Sequence, residues 1–319
     1  SVKLSKEIVS KISKNLEVVF LTNSGTEAVE GSLKLAKRYT GRKEIIAAYN
    51  SYHGSTHGSL STVGVNYMQE KFQPLLPMVN FINFNQDKDL YKISSNTACV
   101  ILETIQGGAG FILPEKNFLK KVKKRCKEVG ALLILDEIQP GFGRTGKLFG
   151  YQHYEIEPDL ICCGKGASSG PPLSLVLGSA ELMDLPDIGS MSSTHSANPI
   201  SCVAGYQNMK ALIEDGLINK AEQLGDLFHE KLNLIKNKYS EHLRYVFGKG
   251  MVAALVFIDK KDKPLSELCD KISELAFQRG LLVVHTGRES IKLAPPLSIS
   301  KKALEEGLEV LDQCIGDSL

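Results

Sequence analysis

No stretch of the 319-residue sequence approaches the eighteen or so uninterrupted apolar residues that a membrane-crossing helix needs. The first residues, SVKLSKEIVSKISK, are amphipathic and unlike a secretory signal. There are no paired C-x-x-C motifs: the seven cysteines (99, 126, 162, 163, 202, 269 and 314) are scattered, which excludes a cysteine zinc site or a disulfide framework. Net charge is only +2, too small to indicate nucleic acid or an anionic membrane surface as partner. Internal repeats and low-complexity segments are missing too. Small molecules and further copies of the same chain are the expected partners, and a cytoplasmic setting is the default.

What is present is an alternation. Short apolar runs at 16–22, 44–49, 79–84, 98–104, 131–137, 159–163 and 172–178 are separated by segments such as 26–38 and 115–129, where apolar residues recur with helical period. This predicts an α/β domain with a mostly parallel sheet flanked by helices. From about residue 200 the pattern changes to two long helical stretches, 200–214 and 217–240. A tail follows in which YVFGKGMVAALVFI, GLLVVHT and SIKLAP read as strands and 265–279 and 300–315 as helices. The division is therefore an N-terminal helix over 1–15, a large domain over 16–215, and a linking helix with a smaller α+β domain over 216–319. The basic run KKVKKRCKEVG (120–130) fits a helix with one solvated face, because Phe118, Leu119 and Val122 supply an apolar one.

Four places carry chemistry. In NSGTEAVE (23–30), between a strand and a helix, Ser24 and Glu27 have capping-box spacing, and Gly25 and Thr26 lie where a helix start favours an anion such as phosphate. Neither G-x-x-x-x-G-K-S/T nor G-x-G-x-x-G occurs in this stretch, so a nucleotide loses ground here. YNSYHGSTHGS (49–59) is a polar loop offering Tyr52 as an aromatic plate, and His53 and His57 make only a weak metal pair; no metal is expected. ALLILDEIQPGFGRTG (131–146) runs from a buried strand straight into Asp136 and Glu137, at the strand end where parallel sheets gather ligands. Finally, DLICCGKGASSG (159–170) sets Lys165 between two glycines after the next strand.

A phosphate cradle, an aromatic plate, a buried carboxylate and a lysine are together the requirements of pyridoxal 5′-phosphate. The lysine amine forms a Schiff base with the aldehyde, and the carboxylate keeps the pyridine nitrogen protonated so that the ring withdraws electrons. Released, the lysine can carry the proton at the substrate Cα, provided burial or neighbouring cations lower its affinity for protons.

NSGTEAVEGSLKLAKRYTGR, YHGST, DEIQPGFGRTGKLFGYQHYEIEPDLICCGKG and STHSANPISC resemble the class III, fold type I pyridoxal phosphate aminotransferases, the group of the 4-aminobutyrate, ornithine and acetylornithine enzymes. The likeness runs from about residue 18 to the C-terminus. It implies that Gly25 and Thr26 hold the cofactor phosphate, Tyr52 stacks on the ring, Asp136 meets the pyridine nitrogen, Gln139 lies on the phenolic side, and Lys165 is the covalent anchor. Ser24, His53 and Glu103 are implied as further cofactor neighbours. Thr194, in STHSANP, matches the threonine that reaches the cofactor of a neighbouring subunit, so the resemblance implies a homodimer.

Three departures set this chain apart. Gly108 stands where ornithine- and aminobutyrate-type members have a second glutamate, and Lys292 where they have the arginine that holds a substrate carboxylate. Both halves of that switch are replaced, and lysine binds a carboxylate only as a point charge. The expected substrate is accordingly an ω-amino acid, an amino sugar or another amine, with an acceptor lacking a conventional α-carboxylate at that position. Relatives also carry a substantial segment ahead of the NSGTEA motif, of which about two dozen residues occur here. The alternative readings are an aminomutase or decarboxylase sharing the cofactor site, or a catalytically silent homologue retained for an interaction.

Overall fold

The computed structural model describes residues 1–285 and 287–319. The seven apolar runs become strands β1 (Val18–Thr22), β2 (Glu44–Ala48), β3 (Val79–Ile82), β4 (Thr97–Glu103), β5 (Leu132–Asp136), β6 (Leu160–Cys163) and β7 (Ser174–Gly178). They form one sheet in the order β1-β7-β6-β5-β4-β2-β3. β3, β2, β4, β5 and β6 are mutually parallel, and β7 alone runs against its neighbours β6 and β1. The sheet is thus mostly parallel, with one reversed strand.

Every residue of β4 to β7 is buried, as a sheet covered on both faces requires. Helices α1 (Val2–Val9), α2 (Gly25–Thr40), α3 (Phe118–Val129) and α4 (Pro199–Glu214) belong to this unit. α2 contributes Ala28, Val29, Leu33 and Ala36 to a core with Ile45, Ile101, Ile134, Cys162 and Val176, alternate residues of neighbouring strands. α3 buries Phe118, Leu119, Val122 and Cys126. Its lysines face outward, Lys120 toward Glu155, Lys121 toward Asp87 and Lys123 toward Asp159. The basic run is therefore a surface partly matched with acids.

The chain divides into two compact units. The first comprises Ser1–Ala109, Pro114–Phe142 and Phe149–Asp215, and the second Gly110–Leu113, Gly143–Leu148 and Gly216–Leu319. The second unit contains helices α5 (Leu217–Lys238), α6 (Ser266–Gln278) and α7 (Lys301–Ser318) and strands β8 (Leu243–Lys249), β9 (Val252–Phe257), β10 (Val284–His285) and β11 (Ser290–Leu293). The strands form an antiparallel sheet in the order β10-β11-β9-β8, over a core that includes Phe228, Leu232, Leu255, Phe257, Ile272 and Leu311.

Two tail strands differ from expectation. YVFGKGMVAALVFI is a hairpin whose turn uses Gly250 at φ 60°, a backbone region open to glycine and costly for other residues. GLLVVHT (280–286) contributes only Val284–His285, because Leu282 and Val284 are exposed and give the segment no buried face; its last residue, Thr286, lies outside the described residues. Among the described residues no helix is long and apolar enough to cross a membrane.

Candidate active site

Three neighbouring parallel strands end side by side. Glu103, the last residue of β4, is in register with Asp136, the last of β5. Asp136 in turn is in register with Cys162 of β6, and Lys165 follows that strand after one further residue, Gly164. These are the carboxyl ends of the strands, where the sheet no longer satisfies the main chain and ligands can approach.

Asp136 is buried, at 3% exposure. Its Oδ2 lies 2.8 Å from His53 Nδ1, and its Oδ1 accepts the Ile138 N–H at 2.9 Å. A buried carboxylate needs such partners, and its remaining lone pairs can accept one more donor. His53 comes from the loop after β2, so this contact joins residues 83 positions apart. The Nε2 of His53 is buried without a partner.

The adjoining residue, Tyr52, is fixed through its main chain. Its N–H donates to Glu103 Oε1 at 3.0 Å, and its hydroxyl lies 2.9 Å from Ser55 Oγ, while the side chain stays 42% exposed. Glu103 Oε2 accepts the Gly107 N–H at 2.9 Å. Burial pushes the Glu103 carboxyl up to about 7, with His53 and the two N–H donors acting against it and Asp136 adding to it. A Cβ at Gly107 would fall 2.1 Å from Gln139 Oε1, which places the Gln139 amide over that turn. At Gly108 a Cβ would meet the Asn50 carbonyl at 3.2 Å and Tyr52 Cβ at 3.3 Å. Glycine there lets the Tyr52 loop close in.

At the start of α2, Ser24 Oγ accepts the Glu27 N–H at 3.3 Å, half of the expected capping box. Glu27 turns instead to the Asn23 N–H, at 2.7 Å. The N–H groups of Gly25 and Thr26 have no carbonyl one turn back within the helix, so they and the helix dipole favour an anion. Thr26 Oγ1 lies 2.7 Å from Thr56 Oγ1 and 2.5 Å from Ser59 Oγ. Glu30, one turn along α2, accepts from the Thr56 hydroxyl and from the Gly58 and Ser59 N–H groups at 2.6, 2.8 and 3.1 Å. The aromatic loop is thereby tied to the helix start.

Ile138 joins these pieces. A Cβ at Gly25 would meet Ile138 Cδ1 at 2.8 Å, and one at Gly164 would meet Ile138 Cγ2 at 3.4 Å. One apolar side chain therefore borders both the helix start and the lysine turn. Ile138, Glu30, Thr56 and Ser59 were not singled out from sequence. Only the apolar residue between Asp136 and Gln139 left any signal.

Two expected residues belong to other segments of the chain. Thr194 is exposed, although the next-door Ser193 accepts a hydrogen bond from Asn23 Nδ2 at 3.1 Å. Lys292 lies on β11 of the second unit, in register with Ala254 and Val284. Glu137, the second acid of the strand end, is fully buried and accepts from the Thr104 hydroxyl and the Gly150 and Tyr151 N–H groups, each at 2.7 Å. It closes the loop after β5. Burial pushes its carboxyl to about 7 against those donors. Among the described residues no group of three or more His, Cys, Asp or Glu could hold a metal ion.

The acceptor set suits pyridoxal phosphate. A flat ring has a half-open tyrosine for one face, the helix start offers N–H donors to a phosphate, and Asp136 has capacity for a protonated ring nitrogen.

A sequence model described as aminotransferase class III matches residues 1–315, so the likeness begins upstream of residue 18, where the motifs start. Among curated relatives, the LysW-aminoadipate semialdehyde/glutamate semialdehyde transaminase of Sulfolobus acidocaldarius is 37% identical over 98% of this chain and 79% of its own length. The acetylornithine aminotransferase of Clostridium acetobutylicum is 36% identical over 97% of this chain and 80% of its own. Among solved structures, the ornithine aminotransferase of Toxoplasma gondii, found with pyridoxal phosphate at partial occupancy, superposes with a TM-score of 0.88 at 26% identity, covering 97% of this chain and 74% of that one.

Proposed function

The chain belongs to the class III aminotransferase family, whose cofactor is pyridoxal 5′-phosphate, and on that premise we propose that amino-group transfer takes place at the ends of β4, β5 and β6, with Lys165 as the cofactor lysine. The observation that carries this is the buried Asp136, held by His53 at the end of the strand beside the one that delivers Lys165. Pyridoxal phosphate, when bound, supplies an aldehyde that exchanges amines and a ring that takes up electrons from the substrate Cα. Asp136 holds a proton at the ring nitrogen, and His53 keeps the carboxylate oriented toward it. The N–H groups of Gly25 and Thr26 and the Ser24 cap would bind the phosphate, Tyr52 would cover one ring face, Gln139 would border the phenolic side, and Glu103 would be a further neighbour. Lys165 Nζ moves a proton at the substrate Cα.

The amino donor is an ω-amino acid, a reading supported by relatives named for acetylornithine and aminoadipate semialdehyde. Gly108 and Lys292 favour a second reading, an amino sugar or other amine, since the Glu and Arg of ornithine-type relatives are both replaced. The exposed Thr194 supports a homodimer in which it reaches the phosphate of the partner's cofactor. The seven free, buried cysteines fit a reducing, cytoplasmic setting.

Absorbance on adding pyridoxal phosphate, followed by borohydride and peptide mass analysis, tests the site. A visible chromophore fixed to Lys165, and lost in Lys165→Ala, is expected, and a protein that stays colourless would overturn the reading. Bleaching by a panel of amines then separates the two donor classes, because an amino sugar acting where N-acetylornithine does not would favour the second.

A further inference from the structure

We propose that Asn208, on α4, is a positioning residue for Lys165: its amide grips the turn that presents the lysine and sets the direction of the amine. This rests on the reading of Lys165 as the cofactor lysine.

Lys165 occupies an unusual backbone. Its φ is 43°, in the left-handed region that side chains with a Cβ rarely enter, and Ser169 four residues on is at 58°. The turn is closed by the Ala167 N–H donating to the Gly164 carbonyl at 3.0 Å. On the near side, Gly164 is wedged, because a Cβ there would fall 2.6 Å from Ser174 Oγ. On the far side the holding group is Asn208. Its Nδ2 donates to the Gly166 carbonyl at 2.7 Å and lies 3.4 Å from that of Ala167. Its Oδ1 accepts the Ser169 hydroxyl at 2.6 Å. Two carbonyls and one hydroxyl donor leave the amide a single orientation that satisfies all three.

α4 can come this close because residue 205, one turn earlier, is glycine: a Cβ there would meet Leu173 Cδ2 at 2.6 Å and the Ala167 carbonyl at 3.2 Å. The peptide planes that carry the Gly166 and Ala167 carbonyls, just past Lys165, are therefore referred to a rigid helix, while Gly164 before it is referred to the sheet. A strained backbone persists only where its surroundings over-determine it. Asn208 supplies that constraint on the C-terminal side of the lysine.

The test uses Asn208→Asp, which keeps the acceptor for Ser169 but turns a carboxylate toward the two carbonyls, and Ser169→Ala, which removes only the hydroxyl that orients the amide. With the amino donor found by bleaching, Asn208→Asp is expected to lower kcat about tenfold while KM changes by less than about threefold, as expected for a misaimed reacting group. The rate at which cofactor-free protein takes up pyridoxal phosphate should fall with it, a readout independent of turnover. Ser169→Ala, at an exposed position, should lower both rates about two- to threefold with an unchanged melting temperature. If Asn208→Asp does not fold, Ser169→Ala decides. Wild-type kcat and uptake in the folded variants, or a lower melting temperature with kcat per folded molecule unchanged, would overturn the proposal. Wild-type protein whose cofactor is fixed at a lysine other than Lys165 would overturn the site reading along with it, whereas the other outcomes strike Asn208 alone.

Discussion

His53 and Asp136 face each other at 2.8 Å, the imidazole fully buried and the carboxylate nearly so. With His53 removed, Asp136 keeps, of the donors His53 and Ile138, only the Ile138 N–H, at a buried position. His53→Ala should therefore lower unfolding stability by about 2–3 kcal/mol, measured in urea, and weaken pyridoxal phosphate retention on dialysis. His53→Asn, whose side-chain amide can donate in place of Nδ1, should recover part of both. A wild-type urea midpoint in His53→Ala would show that the pair contributes nothing.

Glu137 is placed for architecture. Thr104, Gly150 and Tyr151 all donate to it in a buried setting, and Glu137→Ala strands three donors at once. A loss of about 3–5 kcal/mol is expected, with soluble expression falling before any catalytic parameter does.

Glu103 and Glu137 also give stability a specific dependence on pH. Burial raises both folded carboxyls to about 7 from the usual 4.5. Between those values the folded chain holds protons that the unfolded chain has released, so stability falls as pH rises from about 4.5 through about 7. The urea midpoint should decline across that window in the cofactor-free wild type and decline less in Glu103→Gln, which cannot ionise. Equal slopes would remove Glu103 from the account.

Close packing in the second unit makes a separate prediction. A Cβ at Gly225 of α5 would lie 2.5 Å from Gly250 Cα, main chain against main chain, with no flexible side chain to yield. Gly225→Ala should destabilise by about 1–3 kcal/mol despite its better helix propensity. A melting temperature at or above wild type would contradict it.

The sheet was legible because each strand lies within a short apolar run, and Asp136 and Lys165 were legible because they stand at or just past the end of such runs. The direction of β7 was not, since five buried residues read the same in either sense. Nor were Glu30 and Asn208. Their partners lie 26 to 29 and 39 to 42 residues away, and in sequence each is an ordinary polar position on a helix. Ile138 was hidden differently: it sits inside the most informative motif of the chain, but its use depends on both Gly25 and Gly164 coming close to it.

Glu103, Asp136 and Lys165 are supplied by three consecutive hydrogen-bonded strands, β4, β5 and β6. The pitch between them is that of the peptide ladder, about 4.8 Å per strand, a length no side-chain substitution can stretch. The turns that carry Tyr52 and Gly108 lie outside this ruler. Selection or engineering can rewrite the turns around Tyr52 and Gly108 while the ruler keeps Glu103 and Asp136 the same distance apart.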